Sequence, residues 1–210
     1  MNTGRAAVVG MVSLMALATG CGSAGSGSDG TGAKAAPPTA LALLPQKLDK
    51  PAGPYPDLTP SPSPAHDATF SENLEFELRR RTLAMTLAPG ETSAQCPKDL
   101  DSKAGTTVAC TVTYDSLDLV WDVALGDKAA WSDNYVTYQA QPRQGILTRD
   151  GLALYFYGNF SPDEVRCNNV PTAVLVPLNQ LTDYACQTVS GGRPGTADKV
   201  RITDSGPLAG

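Results

Sequence analysis

The chain has 210 residues, 16 Lys and Arg against 21 Asp and Glu, a formal net charge of −5 and one histidine, His66. Its longest basic run is Arg79-Arg80-Arg81, so it lacks the electrostatic footprint that phosphate backbones require, and no nucleic-acid partner is expected. A single histidine removes Ser/His/Asp and Cys/His catalysis from consideration, and no P-loop, G-x-S-x-G, H-E-x-x-H, G-x-G-x-x-G or EF-hand pattern occurs.

Arg5 opens a thin positive region, and Ala6 to Leu17 form an apolar run of about a dozen residues, well short of the roughly 20 that span a bilayer as a helix. Leu17-Ala18-Thr19-Gly20-Cys21 follows, an order that looks like a bacterial lipoprotein signal. Residues 1–20 are therefore read as a removable signal and Cys21 as the first mature residue, its sulfur carrying a diacylglycerol. A competing site for ordinary signal peptidase lies at Ala16-Leu17-Ala18. Cysteine parity favours lipidation. There are five cysteines, Cys21, Cys96, Cys110, Cys167 and Cys186, and acylation of the first leaves four that can pair in an exported protein. Two fatty chains burying methylenes at about 0.8 kcal/mol each hold such a protein at the membrane without any further membrane-binding surface. The expected location is the extracytoplasmic face of the cell membrane, and the Ala/Gly/Pro/Thr-rich composition suggests a one-membrane, high-GC bacterium.

Residues 21–66 show no periodic apolar pattern. The first part is Gly/Ser-rich and the second Pro-rich, ending in Pro60-Ser61-Pro62-Ser63-Pro64. Such sequence favours flexible coil and extended polyproline II, so the segment is expected to be a disordered tether, with Ser/Pro sites open to glycosylation. The tract Leu41-Ala42-Leu43-Leu44 is read as a short sticky patch within it.

From Asp67 on, two segments share a layout. Thr69 and Thr148 each open an expected helix, and each helix is followed by two cysteines, Cys96 and Cys110 in the first copy and Cys167 and Cys186 in the second. Thr69 with Glu72 forms a capping-box pattern, and Phe70, Leu74, Leu78 and Met85 share a helical face. In the second copy Leu152 to Tyr157 fits either a buried strand or a helix ended by Gly158, and the helix is preferred. Alternating apolar residues predict strands over 108–114, 117–125, 135–140, 173–178, 184–189 and 198–203. The expected fold is α+β, with two tandem units, 67–141 and 142–204, each a helix on a three-stranded antiparallel sheet, and a tail at 205–210. Units of about 60 residues are marginal from their cores alone and call for staples. Four cysteines allow three connectivities, and pairing within each copy closes loops of about 15 and about 20 residues, contributing roughly 3 kcal/mol each. Zinc is disfavoured because no C-x-x-C spacing is present.

The stretch Cys96-Pro97-Lys98-Asp99-Leu100, then Gly105 to Val112, resembles a domain of unknown function common in actinobacterial secreted proteins and lipoproteins, reading C-P-x-x-L, a short gap, then V-G-x-x-V-x-C-x-V. Here Ala104 stands in place of the usual Val. The resemblance covers about 60 residues of the first copy. It implies an exported α+β domain with one disulfide and no assigned activity, and it supplies no catalytic residues and no cofactor.

For chemistry, the pairs Asp115/Asp118 and Asp122/Asp127 offer carboxylates for wall-sugar hydrolysis, but alternation on a strand favours a solvated sheet face. Asp127, Asp133 and Asn134 are a possible calcium set in a polar loop. Trp131, Tyr135 and Tyr138 are a candidate binding patch. With Tyr155, Phe156, Tyr157 and Phe160 they are otherwise expected to form core between the copies. The expected function is a non-enzymatic binding or interaction module, with a surface protein or wall ligand as partner. The alternatives are a wall-sugar hydrolase and a structural or inhibitory partner of another surface protein.

Overall fold

Thr69 caps the first helix as the sequence spacing predicts. Its Oγ1 accepts from the Glu72 N–H at 3.3 Å, and Glu72 Oε2 accepts from the Thr69 N–H at 2.7 Å. The computed structural model describes residues 41–53, 55–97, 100, 104–128 and 136–210. The chain runs β1 (Gln46–Leu48), α1 (Phe70–Thr86), β2 (Thr92–Gln95), β3 (Thr107–Tyr114), β4 (Leu117–Lys128), β5 (Val136–Pro142), β6 (Gln144–Thr148) and α2 (Arg149–Phe160). It continues through β7 (Glu164–Cys167), β8 (Ala173–Pro177), β9 (Ala185–Ser190), β10 (Arg193–Pro194), β11 (Asp198–Thr203) and β12 (Gly206–Ala209). The fold is α+β with antiparallel sheets, two helices and two disulfides. No helix of the described residues is long and apolar enough to cross a membrane.

α1 buries Leu74, Leu78, Leu83 and Met85 and ends at Leu87 in the left-handed region, φ 51°. Its outer face carries Glu77, which pairs with Arg80 and Arg81 one turn on. The sheet it covers has the order β2-β3-β4-β5. Alternation buries Cys110, Val112 and Tyr114 on β3 and Leu119, Trp121, Val123 and Leu125 on β4. The buried Trp121 finds its one polar partner on the helix, donating Nε1–H to Thr82 Oγ1 at 3.2 Å.

The second half repeats this plan. Thr148 caps α2 by accepting the Gly151 N–H at 3.0 Å, and the helix runs past Gly158 to Phe160, with Ser161 left-handed at its end. Of the strands that follow, β7, β9, β11 and β12 line up in that order, β10 pairs with β9, and β8 pairs antiparallel with β6 in a separate two-stranded sheet. Each half thus carries a helix and a row of four antiparallel strands, consecutive in the chain in the first half and interrupted by β8 and β10 in the second, not the three-stranded sheet expected. β2 is the addition in the first half. In the second, β7 and β12 are added, and the strand expected at 173–178 forms as β8 but pairs with β6 outside that sheet. β2 and β7 are four residues long and follow loops rich in turn formers, too short to show a period, and their pairing with β3 and β9 is what makes them strands.

Two further expectations are corrected. The halves do not close separate cores. Buried side chains from both form one cluster, and residues 39–210 form one compact unit. Thr148 Oγ1 donates to Thr86 O at 2.8 Å, and Met85 Sδ accepts from the Ile146 N–H at 3.4 Å, so the boundary near 142 is a seam inside one core. Residues 21–66 are also not a tether throughout. Residues 21–40 lie outside the described residues, whereas β1 pairs with β7 and Leu48 is only 1% exposed. Gln46 clamps Val170 through both its carboxamide groups, at 2.9 Å each, and Arg166 Nε donates to Leu44 O at 2.6 Å. A three-residue strand is too short to show a period, and main-chain pairing with an existing edge needs little side-chain signature. Residues 206–209, read as tail, form β12 beside β11.

Replacing Leu48 by Ala is expected to cost about 2–5 kcal/mol in denaturant unfolding. Leu41→Ala, at a side chain 52% exposed, should change stability by less than about 0.5 kcal/mol. A tether residue at position 48 would make the two variants indistinguishable.

Candidate functional site

Antiparallel pairing sets the chemistry of the edges. Asp115 N–H donates to Glu91 O at 2.8 Å, so Glu91 and Asp115 form a hydrogen-bonded pair, and Ser93 and Gln95 follow in the same phase. Thr92, Ala94 and Cys96 then occupy the non-hydrogen-bonded phase, where opposed Cα atoms come closest. Cys96 faces Cys110 across that narrow spacing, Cα to Cα 4.4 Å, and the two are bonded. On β7, Asn168 N–H donates to Ala185 O at 2.9 Å, which puts Cys167 opposite Cys186 in the same close phase, 4.0 Å apart and likewise bonded. Both bridges therefore link two strands that are neighbours in one sheet, β2 with β3 and β7 with β9.

That phase also points the backbone groups of Thr92, Ala94 and Cys96 away from β3. The Cys96 N–H is taken by Glu75 Oε1 at 2.8 Å. Beside this edge runs a groove of about 470 Å³. Its floor is the α1 face of Glu72, Glu75, Phe76 and Arg79. One wall is β2, and the other is the Ser61–Ala65 segment. Arg79 spans the groove's end, donating Nε–H to Thr92 Oγ1 at 3.2 Å and a terminal N–H to Ser61 O. A second hollow of about 560 Å³ continues past Glu72 and Glu75 to Cys96. Glu72 is held below the usual carboxylate range by the Thr69 N–H and hydroxyl that it accepts. It is therefore ionised at neutral pH.

Comparison with protein-family models, with curated proteins and with solved structures yields no match.

The residues singled out in the sequence fall elsewhere. Trp131, Tyr135, Asp133 and Asn134 lie outside the described residues. Tyr138 is half-buried, its ring edge-on to Phe70 at 6.4 Å and under the Arg81 guanidinium at 5.5 Å, so it packs β5 onto α1. Phe156 and Tyr157 are buried against the second half's own elements, with the Tyr157 hydroxyl donating to Leu48 O at 3.2 Å, and Phe160 is exposed. Asp118 and Asp122 do share the outer face of β4, but both are engaged. Asp118 accepts from Thr113 Oγ1 at 2.7 Å, and Asp122 takes a bidentate pair from Arg143 at 2.8 and 2.9 Å. The guanidinium holds the Asp122 carboxyl below its ordinary range. Asp115 accepts from the Glu91 N–H at 3.0 Å, and Asp127 offers its main-chain carbonyl to Thr137. Among the described residues no group of three or more His, Cys, Asp or Glu could hold a metal ion.

The groove itself was not visible in the sequence. Glu72 was legible as a capping residue, but Thr92 and Ser93 read as a turn, and an edge exists only once β2 is a strand. Tyr114 fixes the entry to that strand. Its hydroxyl donates to Pro89 O at 3.0 Å, and its ring lies where a Cβ on Gly90 would fall at 2.5 Å.

Burial, aided by the Asp115 charge, pushes the Tyr114 phenol up to about 12 from 10.0. A raised folded-state value means that its stabilising contribution is complete below pH 10 and is lost as pH rises toward 12. Between those limits stability should fall with rising pH, and Tyr114→Phe should flatten that part of the profile. Unfolding monitored by circular dichroism across the window tests this, and identical slopes for the two proteins would refute it.

Proposed function

We propose that this chain is a lipoprotein, fixed through a diacylglycerol on Cys21 to the extracytoplasmic face of the cell membrane, whose α+β domain is a non-enzymatic binding module. The observation that carries the reading is the pairing of Cys96 with Cys110 and Cys167 with Cys186. Two cross-strand bridges suit an oxidising compartment, and they use every cysteine except the one in the lipoprotein-like signal. Acylation gives that remaining sulfur a role. The C-P-x-x-L…G-x-x-V-x-C-x-V resemblance to exported actinobacterial domains supports the same compartment. The shared succession of a helix and four antiparallel strands, with a bridge between the first two strands of each sheet, supports descent of the two halves from one duplicated unit.

On this reading residues 1–20 are removed, and the stretch between Cys21 and Ala42, whose carbonyl accepts from Gln187, is the spacer, reaching at most roughly 75 Å if fully extended. That is enough to lift the domain clear of lipid headgroups. The partner is a surface protein or wall ligand, and nothing about the aspartates favours hydrolysis, since Asp118 and Asp122 are each committed to a neighbour.

Intact-mass measurement of the membrane-extracted protein should show a chain beginning at residue 21 with added diacylglycerol. Cys21→Ser should abolish the increment and release the protein from the membrane fraction, and no thiol should react with alkylating agent until reductant is added. A lipid-free mature chain in the medium, or free thiols in a folded protein, overturns the reading.

A further inference from the structure

The two halves differ at one equivalent place. In the second half the outer edge of β7 is covered. β1 lies on it antiparallel, with Gln46 opposite Cys167 and Leu48 opposite Val165, and reaches over α2 to the Tyr157 hydroxyl. In the first half the corresponding strand is β2, which pairs with β3 alone. Its outward groups at Thr92 and Ala94 have no backbone partner among the described residues, and the space that a covering strand would fill is the groove floored by α1.

We propose that the β2 edge binds an extended, lysine- or arginine-bearing peptide of a partner protein, added antiparallel as a fifth strand, as β1 is added in the second half. The inference rests on the reading of this domain as a binding module and names its site. The chain itself supplies the precedent for a strand in that position. β1 reads Gln46-Lys47-Leu48. Its lysine pairs with Glu164 at 3.0 Å and its leucine is buried. The β2 groove presents matching chemistry, with Glu72 and Glu75 for a basic side chain and Phe76, Ala68 and Ala94 for an apolar one. Its cation, Arg79, is occupied at one end by Ser61 and Thr92. Main-chain pairing supplies affinity in such additions, and alternate side chains supply selectivity.

The walls also argue for a peptide rather than a second copy of this domain. Ser61–Ala65 flanks the groove and leaves about 470 Å³, room for a few extended residues but not for an approaching sheet. That wall cannot pair with β2 as a regular strand, because Pro62 and Pro64 lack N–H groups.

The test pans a phage-displayed random heptapeptide library against the full chain. Selected peptides are then measured against Ala94→Pro, which removes an outward N–H while leaving the β2–β3 ladder intact, and against Glu75→Gln, which removes charge but keeps an acceptor for the Cys96 N–H. Peptides combining a basic and an apolar residue are expected, with affinity reduced about tenfold or more by A94P and less, in a salt-dependent way, by E75Q. Peptide addition should slow amide exchange at Thr92 and Ala94. If A94P does not fold, E75Q and the exchange pattern decide the matter. Binding that both variants leave unchanged, or protection confined to other strands, overturns the edge assignment while leaving the binding-module reading standing. A library yielding no peptide overturns it as well. Concentration-dependent dimerisation abolished by A94P assigns the edge to a second copy and overturns the peptide proposal.

Discussion

The hydroxyl of Thr148 does two things at once. It accepts the Gly151 N–H and so begins α2, and it donates to the Thr86 carbonyl at the end of α1. Helix N-termini leave N–H groups unsatisfied and C-termini leave carbonyls unsatisfied, and here one side chain serves both kinds of end. The approach is so close that a Cβ on residue 151 would fall 2.0 Å from Thr86 O, so glycine is required there. This contact sits at the seam where two similar halves become one body, beside the buried Met85, Ile146 and Leu147 of their shared core.

The disulfides act at a different level. Each joins strands that are already neighbours in register, so it selects no new topology. It holds a four-residue strand of each sheet, β2 or β7, against a longer one. Short strands contribute little ladder and bury few side chains, so a covalent link to the next strand offsets what their sequences do not provide. The same economy explains why Gln46, Gln187 and Arg166 gather around residues 42–46. Side-chain amide and guanidinium groups do the pairing that a three-residue strand cannot do alone.

What could be read from the sequence follows from the length of each pattern. α1, with its threonine cap, and the strands at 107–114, 117–128, 185–190 and 198–203 repeat their apolar period often enough to declare themselves, whereas the run Leu152 to Tyr157 in α2 fits a buried strand as well as a helix. Cysteine spacing announced the bridges, and the parity of Asp118 and Asp122 announced a solvated face. β1, β2, β7 and β12 have three or four residues and show no period, and each is a strand because a neighbour's edge makes it one. The union of the halves was hidden for a related reason. It depends on Thr148, a residue that reads as an ordinary cap, reaching a carbonyl 62 positions away. The groove beside β2 is invisible until both the edge and the returning Ser61–Ala65 segment are in place.

The position of β1 governs how the domain meets mechanical load. Chain preceding Leu44 enters the fold by way of β1 and its clasp on β7, not by way of α1. A pull from the N-terminal side is therefore borne first by the Gln46, Arg166 and Gln187 hydrogen bonds and by Leu48 seated in the core. Helix α1 and the first sheet feel that force only after β1 has come away. The strand works as a strain relief, like the knot where a cable enters its housing.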